Sequence, residues 1–179
     1  MIHYKLYLKN PHSHYIYVDL TIDAVSSPSL ELQLPAWRPG RYELGNFAKN
    51  VKRVDVFDEN DKPLVYQKST KDLWVIETNG AKKIKVTYSY HTTEINAGNC
   101  YADETQLYVN PVHLCLYVPA RMQEEHTLEL DIPENYKVAT SLKKVNKNFV
   151  ASSFDELADS PIMASASLQS DFYEVNGIK

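Results

Sequence analysis

The stretch Tyr15-Ile16-Tyr17-Val18-Asp19-Leu20-Thr21-Ile22-Asp23 decides the fold. Ile16, Val18, Leu20 and Ile22 fall on one face, and Tyr15, Tyr17, Asp19 and Thr21 on the other. A period of two marks a β-strand with one face buried, the habit of antiparallel sheets. The same reading extends outward. From His3 to Lys9, Tyr4, Leu6 and Leu8 alternate with Lys5 and Tyr7, and Asn10-Pro11-His12 turns the chain into the next strand. Downstream, Leu30 to Leu34, Val51 to Phe57, Asp72 to Thr78, Ile84 to Tyr90, Val112 to Val118 and His126 to Ile132 read as strands. A short pair follows, Tyr136 to Ser141 and Phe149 to Ala151. Asn79-Gly80 lies between two alternating runs and predicts a hairpin with a loop longer than two residues. Tyr42 to Asn50 reads as helical or irregular. In Ser153-Phe154-Asp155-Glu156-Leu157, Ser153 is an N-cap with Glu156 three residues on, which predicts a single helical turn. No repeat, low-complexity segment or linker interrupts the chain. The sequence therefore predicts one all-β domain over residues 1–179, a curved antiparallel sheet or β-sandwich with one short helical turn.

A chain of 179 residues can bury roughly 70% of its unfolded surface, enough for a core without staples. Thirteen tyrosines against five phenylalanines favour half-buried strand faces, where the ring packs and the hydroxyl stays wet. The charge is 19 − 23 = −4. Lys82, Lys83 and Lys85, and Lys143, Lys144 and Lys147, are interleaved with apolar residues, the pattern of a solvated strand face, so no nucleic-acid partner is expected. No apolar run approaches the roughly 20 residues of a membrane span, and no membrane partner is expected. Met1 leads into the first strand without a basic-then-apolar leader, which reads as cytoplasmic, although a leader removed in maturation would leave no trace. Cys100 and Cys115 are isolated and read either as free thiols of a reducing compartment or as a single bridge.

The most distinctive corner is Leu34-Pro35-Ala36-Trp37-Arg38-Pro39-Gly40-Arg41-Tyr42. Pro39 sets φ for the second position of a type II turn and Gly40 supplies the positive φ of the third. Two readings are open. Trp37 and Tyr42 plug the end of a sandwich, or the corner projects and presents Trp37, Arg38 and Tyr42 to another domain or a ligand. Catalytic chemistry is harder to find. His12 and His14 would share one strand face, but no carboxylate or cysteine stands near them in sequence to close a zinc ligand set. His126-x-x-Glu129 lacks a second histidine, and its two side chains would point to opposite faces of a strand. No His-Glu-x-x-His and no Gly-x-Ser-x-Gly occurs. Asp155, Glu156 and Asp159 suit a helix start better than an acid-base pair. No catalytic and no metal-binding residue is assigned in this chain.

These pieces together are similar to a known module. Tyr4 with Asn10-Pro11 and His14-Tyr15; the Leu34-Pro35-Ala36-Trp37 corner with Pro39-Gly40 and Tyr42; and Phe47-Ala48-Lys49-Asn50-Val51 come in the same order there. So do Asp61-Lys62-Pro63-Leu64, Trp74, and Phe154-Asp155-Glu156-Leu157 with Asp159-Ser160-Pro161-Ile162. The chain resembles, over nearly its whole length, the N-terminal domain of the glycyl aminopeptidase family of zinc metallopeptidases, gluzincins that carry a C-terminal PDZ domain. Many members of that family have serine where Arg41 stands, and an arginine and an acid where Gly45-Asn46 stand.

The resemblance implies a non-catalytic N-terminal β-domain that docks onto, and helps shape the substrate cleft of, a zinc aminopeptidase encoded further along a longer parent chain. Zinc is then expected in the parent's catalytic domain, with none in this chain. The implied partners are that catalytic domain and, in the full-length protein, a peptide substrate. Trp37, Arg38 and Tyr42 become the domain-docking candidates. Related enzymes lend a late β-domain loop to the cleft rim, where a polar side chain holds the substrate's free amino group. Here that place falls on Asn96 to Asn110, which reads as the longest irregular stretch, with Asp103 and Glu104 as candidate rim carboxylates and Tyr101 as a wall. The alternative is a free-standing β-sandwich module that recognises peptide or carbohydrate through its Tyr and Trp faces.

Overall fold

The structure, a computed structural model, describes residues 1–92, 94–96 and 98–177. Ala97 of the Asn96 to Asn110 stretch and Lys179 at the end of the expected domain lie outside the described residues. From the N-terminus, β1 (Ile2–Tyr7) and β2 (Tyr15–Asp23) form a hairpin, β3 (Ser29–Gln33) leads into the corner, and β4 (Val51–Asp58) leaves it. Next come β5 (Tyr66–Thr70), β6 (Leu73–Glu77), β7 (Lys83–His91), β8 (Tyr101–Ala102) and β9 (Gln106–Val109). A helical turn, α1 (Pro111–Leu114), precedes β10 (His126–Asp131), β11 (Lys137–Ala139), β12 (Lys143–Val145) and β13 (Asn148–Ala151), and the series closes with α2 (Phe154–Ala158) and β14 (Ile162–Ser165).

The strands make three sheets, of order β12-β13-β10-β1-β2-β7-β4, β11-β14-β9-β8 and β3-β6-β5. This is the expected all-β class. Pairing is antiparallel apart from β1 on β10, which run parallel. Alternation does what it promised in β2: Ile16, Val18, Leu20 and Ile22 are buried while the intervening side chains stay half-buried. The inner face of the large sheet shares one apolar core with Leu30, Leu32, Trp74 and Ile76 of the three-stranded sheet and with Leu107, Val109 and Ala164 of the four-stranded one.

Three local expectations are corrected. Asn79 and Gly80 do adopt positive φ, 50° and 81°. The flanking strands nonetheless belong to different sheets, β6 beside β3 and β5, and β7 between β2 and β4. Parting the two strands lets Trp74 and Ile76 face Ile84 and Val86 across the shared core from different sheets. Val112 to Val118 is not a strand. Pro111 occupies the first turn of α1, where its missing N–H costs nothing, and Leu114, Cys115 and Leu116 are all fully buried, a run that one-sided alternation forbids. Finally, β11 pairs with β14 whereas β13 pairs with β12 and β10, so Tyr136 to Ser141 and Phe149 to Ala151 are not a pair. The helical turn at 153–157 forms as expected: Ser153 Oγ accepts from the Glu156 N–H at 3.2 Å, and Glu156 reaches back to the Ser152 N–H at 2.6 Å.

The segment Leu114 to Leu116 runs through the core outside any sheet, so its backbone needs other partners. Two buried tyrosines of the large sheet supply them. Tyr4 Oη donates to the Leu116 carbonyl at 2.8 Å. Tyr88 Oη donates to the Leu114 carbonyl at 2.7 Å and accepts from the Leu116 N–H at 3.1 Å. Tyr88→Phe strands one carbonyl and one N–H in the core and is expected to cost about 1–3 kcal/mol, read from urea unfolding. A loss below about 0.5 kcal/mol, the scale of an ordinary surface change, would show that these bonds do not hold the segment.

Candidate functional site

The corner is built as a tight, self-closed loop. The Arg41 N–H reaches back to the Arg38 carbonyl across Pro39-Gly40 at 3.4 Å, and Gly40 takes φ 79°, the conformation the sequence calls for. The indole N–H of Trp37 donates to the Arg41 carbonyl, and the Gly45 N–H closes onto the Ala36 carbonyl at 2.7 Å. Arg41 holds Glu43 through Nε and Nη2 at 3.0 and 2.6 Å. A side chain at Gly45 would overlap the Phe47 ring, so glycine is what lets Phe47 fold under the corner. The rings do not plug the core. Trp37 is 50% exposed, Tyr42 stands free of the surface, and Leu44 beside it is 73% exposed.

Beneath the corner lies His113, on α1 and fully buried. Phe47 stacks on its ring at 4.1 Å, and neither ring nitrogen has a hydrogen-bond partner. Burial, with the nearby charges of Arg38 and Arg41, drives its pKa down to about 4. Arg38 Nε is likewise buried without an acceptor. Sequence reading passed over His113 because it lies in an apolar run; the Asn110-Pro111 helix-start signal just before it was the available clue. Between the corner and α2 opens a groove of about 540 Å3, lined by Trp37, Arg38, Tyr108, Val112, Tyr117 and Phe154, with Asp155 and Asp159 on its far lip.

The stretch expected to be irregular is largely a hairpin, β8 on β9, with Asp103 to Thr105 at its tip. Both Asp103 oxygens are engaged: Oδ1 accepts from the Thr105 N–H, the Thr105 hydroxyl and the Gln106 N–H at 2.7–2.9 Å, and Oδ2 from Tyr101 Oη at 2.9 Å. Burial pulls this carboxyl up, yet those bonds outweigh it and leave its pKa below the ordinary value. Glu104 is different. Its carboxylate is mostly exposed and lies 3.5 Å from His12 Nδ1, while its carbonyl accepts from Tyr136 Oη at 2.8 Å. Tyr101 packs against His14 at 6.0 Å. The corner and the hairpin meet where Tyr108 and Asn110 line the groove. Among the described residues, no hydrogen bond or ion pair joins Tyr101, Asp103 or Glu104 to Trp37, Arg38 or Tyr42.

No cluster of three His, Cys, Asp or Glu residues that could hold a metal occurs among the described residues. His14 Nδ1 is spent on the Ala102 carbonyl at 2.8 Å, away from the His12 contact with Glu104. On β10, His126 is buried while Glu129 faces out to Lys5 and Lys147. Cys100 and Cys115 are free, buried thiols, and burial raises both pKa values, that of Cys100 to about 12.

Two outcomes follow from this geometry. Trp37→Ala is expected to cost about 1 kcal/mol or less, against about 3–5 kcal/mol for Phe47→Ala in the buried floor. Equal losses in urea unfolding would make Trp37 a core residue. The second concerns pH. A histidine whose folded pKa lies near 4 binds fewer protons than the unfolded chain, with its ordinary value near 6.5. The stability it contributes is present above the unfolded value and is lost as pH falls toward the folded one. The urea midpoint is expected to drop between those values, and the drop to shrink in His113→Leu. An unchanged slope in the variant would show that the imidazole is not held neutral.

The comparisons with known proteins agree with the fold. The sequence matches the family described as the Peptidase M61 N-terminal domain over residues 3–166. The structure is similar to an aminopeptidase N family protein from Idiomarina loihiensis, with TM-score 0.89 and 26% identity, covering 99% of this chain and 31% of that one. It shares its fold, at TM-score 0.50 and 10% identity, with a mutant M1 zinc metallopeptidase from Deinococcus radiodurans, covering 92% of this chain and 41% of that one. No curated protein matches. The chain thus spans under a third of its Idiomarina relative, and it belongs to the Peptidase M61 N-terminal domain family.

Proposed function

We propose that residues 1–179 form one non-catalytic N-terminal domain of a longer zinc aminopeptidase of the glycyl aminopeptidase type, with a PDZ domain in the parent. The domain docks onto the catalytic domain and shapes its substrate cleft. The observation that carries this reading is the corner. Trp37, Tyr42 and Leu44 expose large apolar surface beside an apolar groove. Contiguous exposed apolar surface of this kind marks interaction sites. Arg38 lines the same groove and brings a positive charge to it. The 31% coverage of the Idiomarina relative leaves room for a catalytic partner in the same chain. Zinc belongs to that domain, where it would activate water for peptide hydrolysis. Two free buried thiols fit a reducing, cytoplasmic setting.

At the rim, Glu104 is the freer of the two carboxylates and receives the substrate's ammonium, while Asp103 and Tyr101 hold the hairpin tip that carries it. A charge-assisted bond of this kind is worth about 1.5–3 kcal/mol when shielded from water. Supplied in trans with the remainder of the parent chain, the domain is expected to co-elute with it, and Trp37→Ala with Tyr42→Ala to abolish co-elution; survival of the complex would sink the docking role. In the intact parent, Glu104→Ala is expected to raise KM for free-amino peptides and to spare amino-blocked ones. Equal effects on both would remove Glu104 from the rim.

A further inference from the structure

We propose that the outer face of the seven-stranded sheet carries a saccharide-binding trough, independent of the docking corner. The registers put it there. Across four strands, Tyr7 of β1 stands opposite Tyr17 of β2, Tyr17 opposite Ser89 of β7, and Ser89 opposite Lys52 of β4. One row along, Asp19 faces Thr87, and Thr87 faces Asp55. The small side chains Thr87 and Ser89 thus make a floor between two tall walls, the tyrosines on one side and Lys52, Arg53 and Asp55 on the other. The trough encloses about 540 Å3, within the roughly 300–1,000 Å3 of ligand sites. The far wall is raised by a register shift between Lys52 and Asp55, where Arg53 takes φ 50°. Such bulges re-aim side chains out of the ladder.

The rings are held in place before any ligand arrives. Tyr7 and Tyr17 stack at 5.5 Å, with Lys9 Nζ 4.4 Å from the Tyr17 centroid. Tyr15 packs tilted against His91 at 4.8 Å, and Lys52 Nζ donates to its hydroxyl at 2.7 Å. Tyr7 Oη donates to Asp19 at 3.2 Å; burial and that carboxylate push its pKa up to about 12, so the hydroxyl stays a neutral donor.

The charge pattern selects the ligand class. Three cations, Lys9, Lys52 and Arg53, share the trough with two carboxylates, Asp19 and Asp55. A polyanion or an acidic peptide would meet those carboxylates. An extended peptide also finds no main chain to pair with on the floor, because β7 is laddered on both sides. A sugar suits both features: its hydroxyls donate to the carboxylates and accept from the cations and from Thr87 and Ser89, while its apolar C–H face lies on a tyrosine ring.

The test is a titration of the isotopically labelled 179-residue chain, followed by amide NMR. The probes are neutral linear hexasaccharides of β-1,4-glucose, β-1,4-N-acetylglucosamine and α-1,4-glucose, with a sulfated hexasaccharide and a glutamate-rich peptide as rivals. At least one neutral hexasaccharide is expected to shift the Lys52, Thr87 and Ser89 amides saturably. Tyr17→Ala is expected to weaken it by about tenfold, the scale of one lost aromatic contact. Thr87→Phe, a strand-favouring residue that fills the floor from outside the core, is expected to abolish it while the melting transition persists. No saturable shift with any neutral probe, binding that survives Thr87→Phe, or a response confined to the sulfated sugar or the peptide would overturn the proposal.

Discussion

Everything in this structure leans on one buried arrangement: the hydroxyls of Tyr4 and Tyr88 meeting the backbone of Leu114 to Leu116. That segment passes through the core without a strand partner, and an unpaired peptide group there costs about as much as a lost hydrogen bond. Because Tyr4 sits on β1 and Tyr88 on β7, the two tyrosines reach it from separated strands of the large sheet. The segment in turn delivers α1 below the corner. Just beyond it, Tyr117 bridges to Gln33, with N–H to carbonyl distances of 2.8 and 2.9 Å, and ties the large core to the three-stranded sheet. The phenolic oxygen is the essential atom. Phenylalanine would fill the same volume and leave the crossing segment unsatisfied.

The two proposed surfaces stand on opposite sides of the same logic. At the corner, apolar surface is left in water and polar groups are taken out of it: Trp37 and Tyr42 are exposed, while His113 and Arg38 Nε are buried without partners. Each costs stability in the isolated domain, and a partner seated on the corner would offset the first by covering the rings. The outer trough is the reverse. Its rings are held by one another, by Lys9 and Lys52 and by the Tyr7 bond to Asp19, which suits a ligand that exchanges for water with little rearrangement.

Much of this was legible in the chain. Alternation located β1, β2, β7 and β10 to within a residue or two at either end, because the side-chain period of a strand is local and survives whatever the strand later pairs with. The Pro39-Gly40 turn and the Ser153 cap were equally local, each a matter of a few neighbouring dihedrals and one or two hydrogen bonds. The class of the fold, the exposed corner as one of two options, and the family likeness all rest on such signals.

Partnership was not legible. Asn79-Gly80 takes the turn conformation its residues encode, but whether the flanking strands pair or part depends on where β2, β3, β4 and β5 lie, and that is settled by total burial rather than by the turn. The Val112 to Val118 run shows the same limit: its apolar residues fit a strand until two remote tyrosines offer the backbone other partners. The trough is a more complete case, since Tyr7, Tyr17, Ser89 and Lys52 are scattered over the first half of the chain and become neighbours only through three strand registers. The sequence by itself determined which residues face inward along each strand. Only the tertiary structure decided which strands lie side by side, and therefore which outward-facing residues form a surface, because that choice is made by long-range burial and loop closure rather than by any local period.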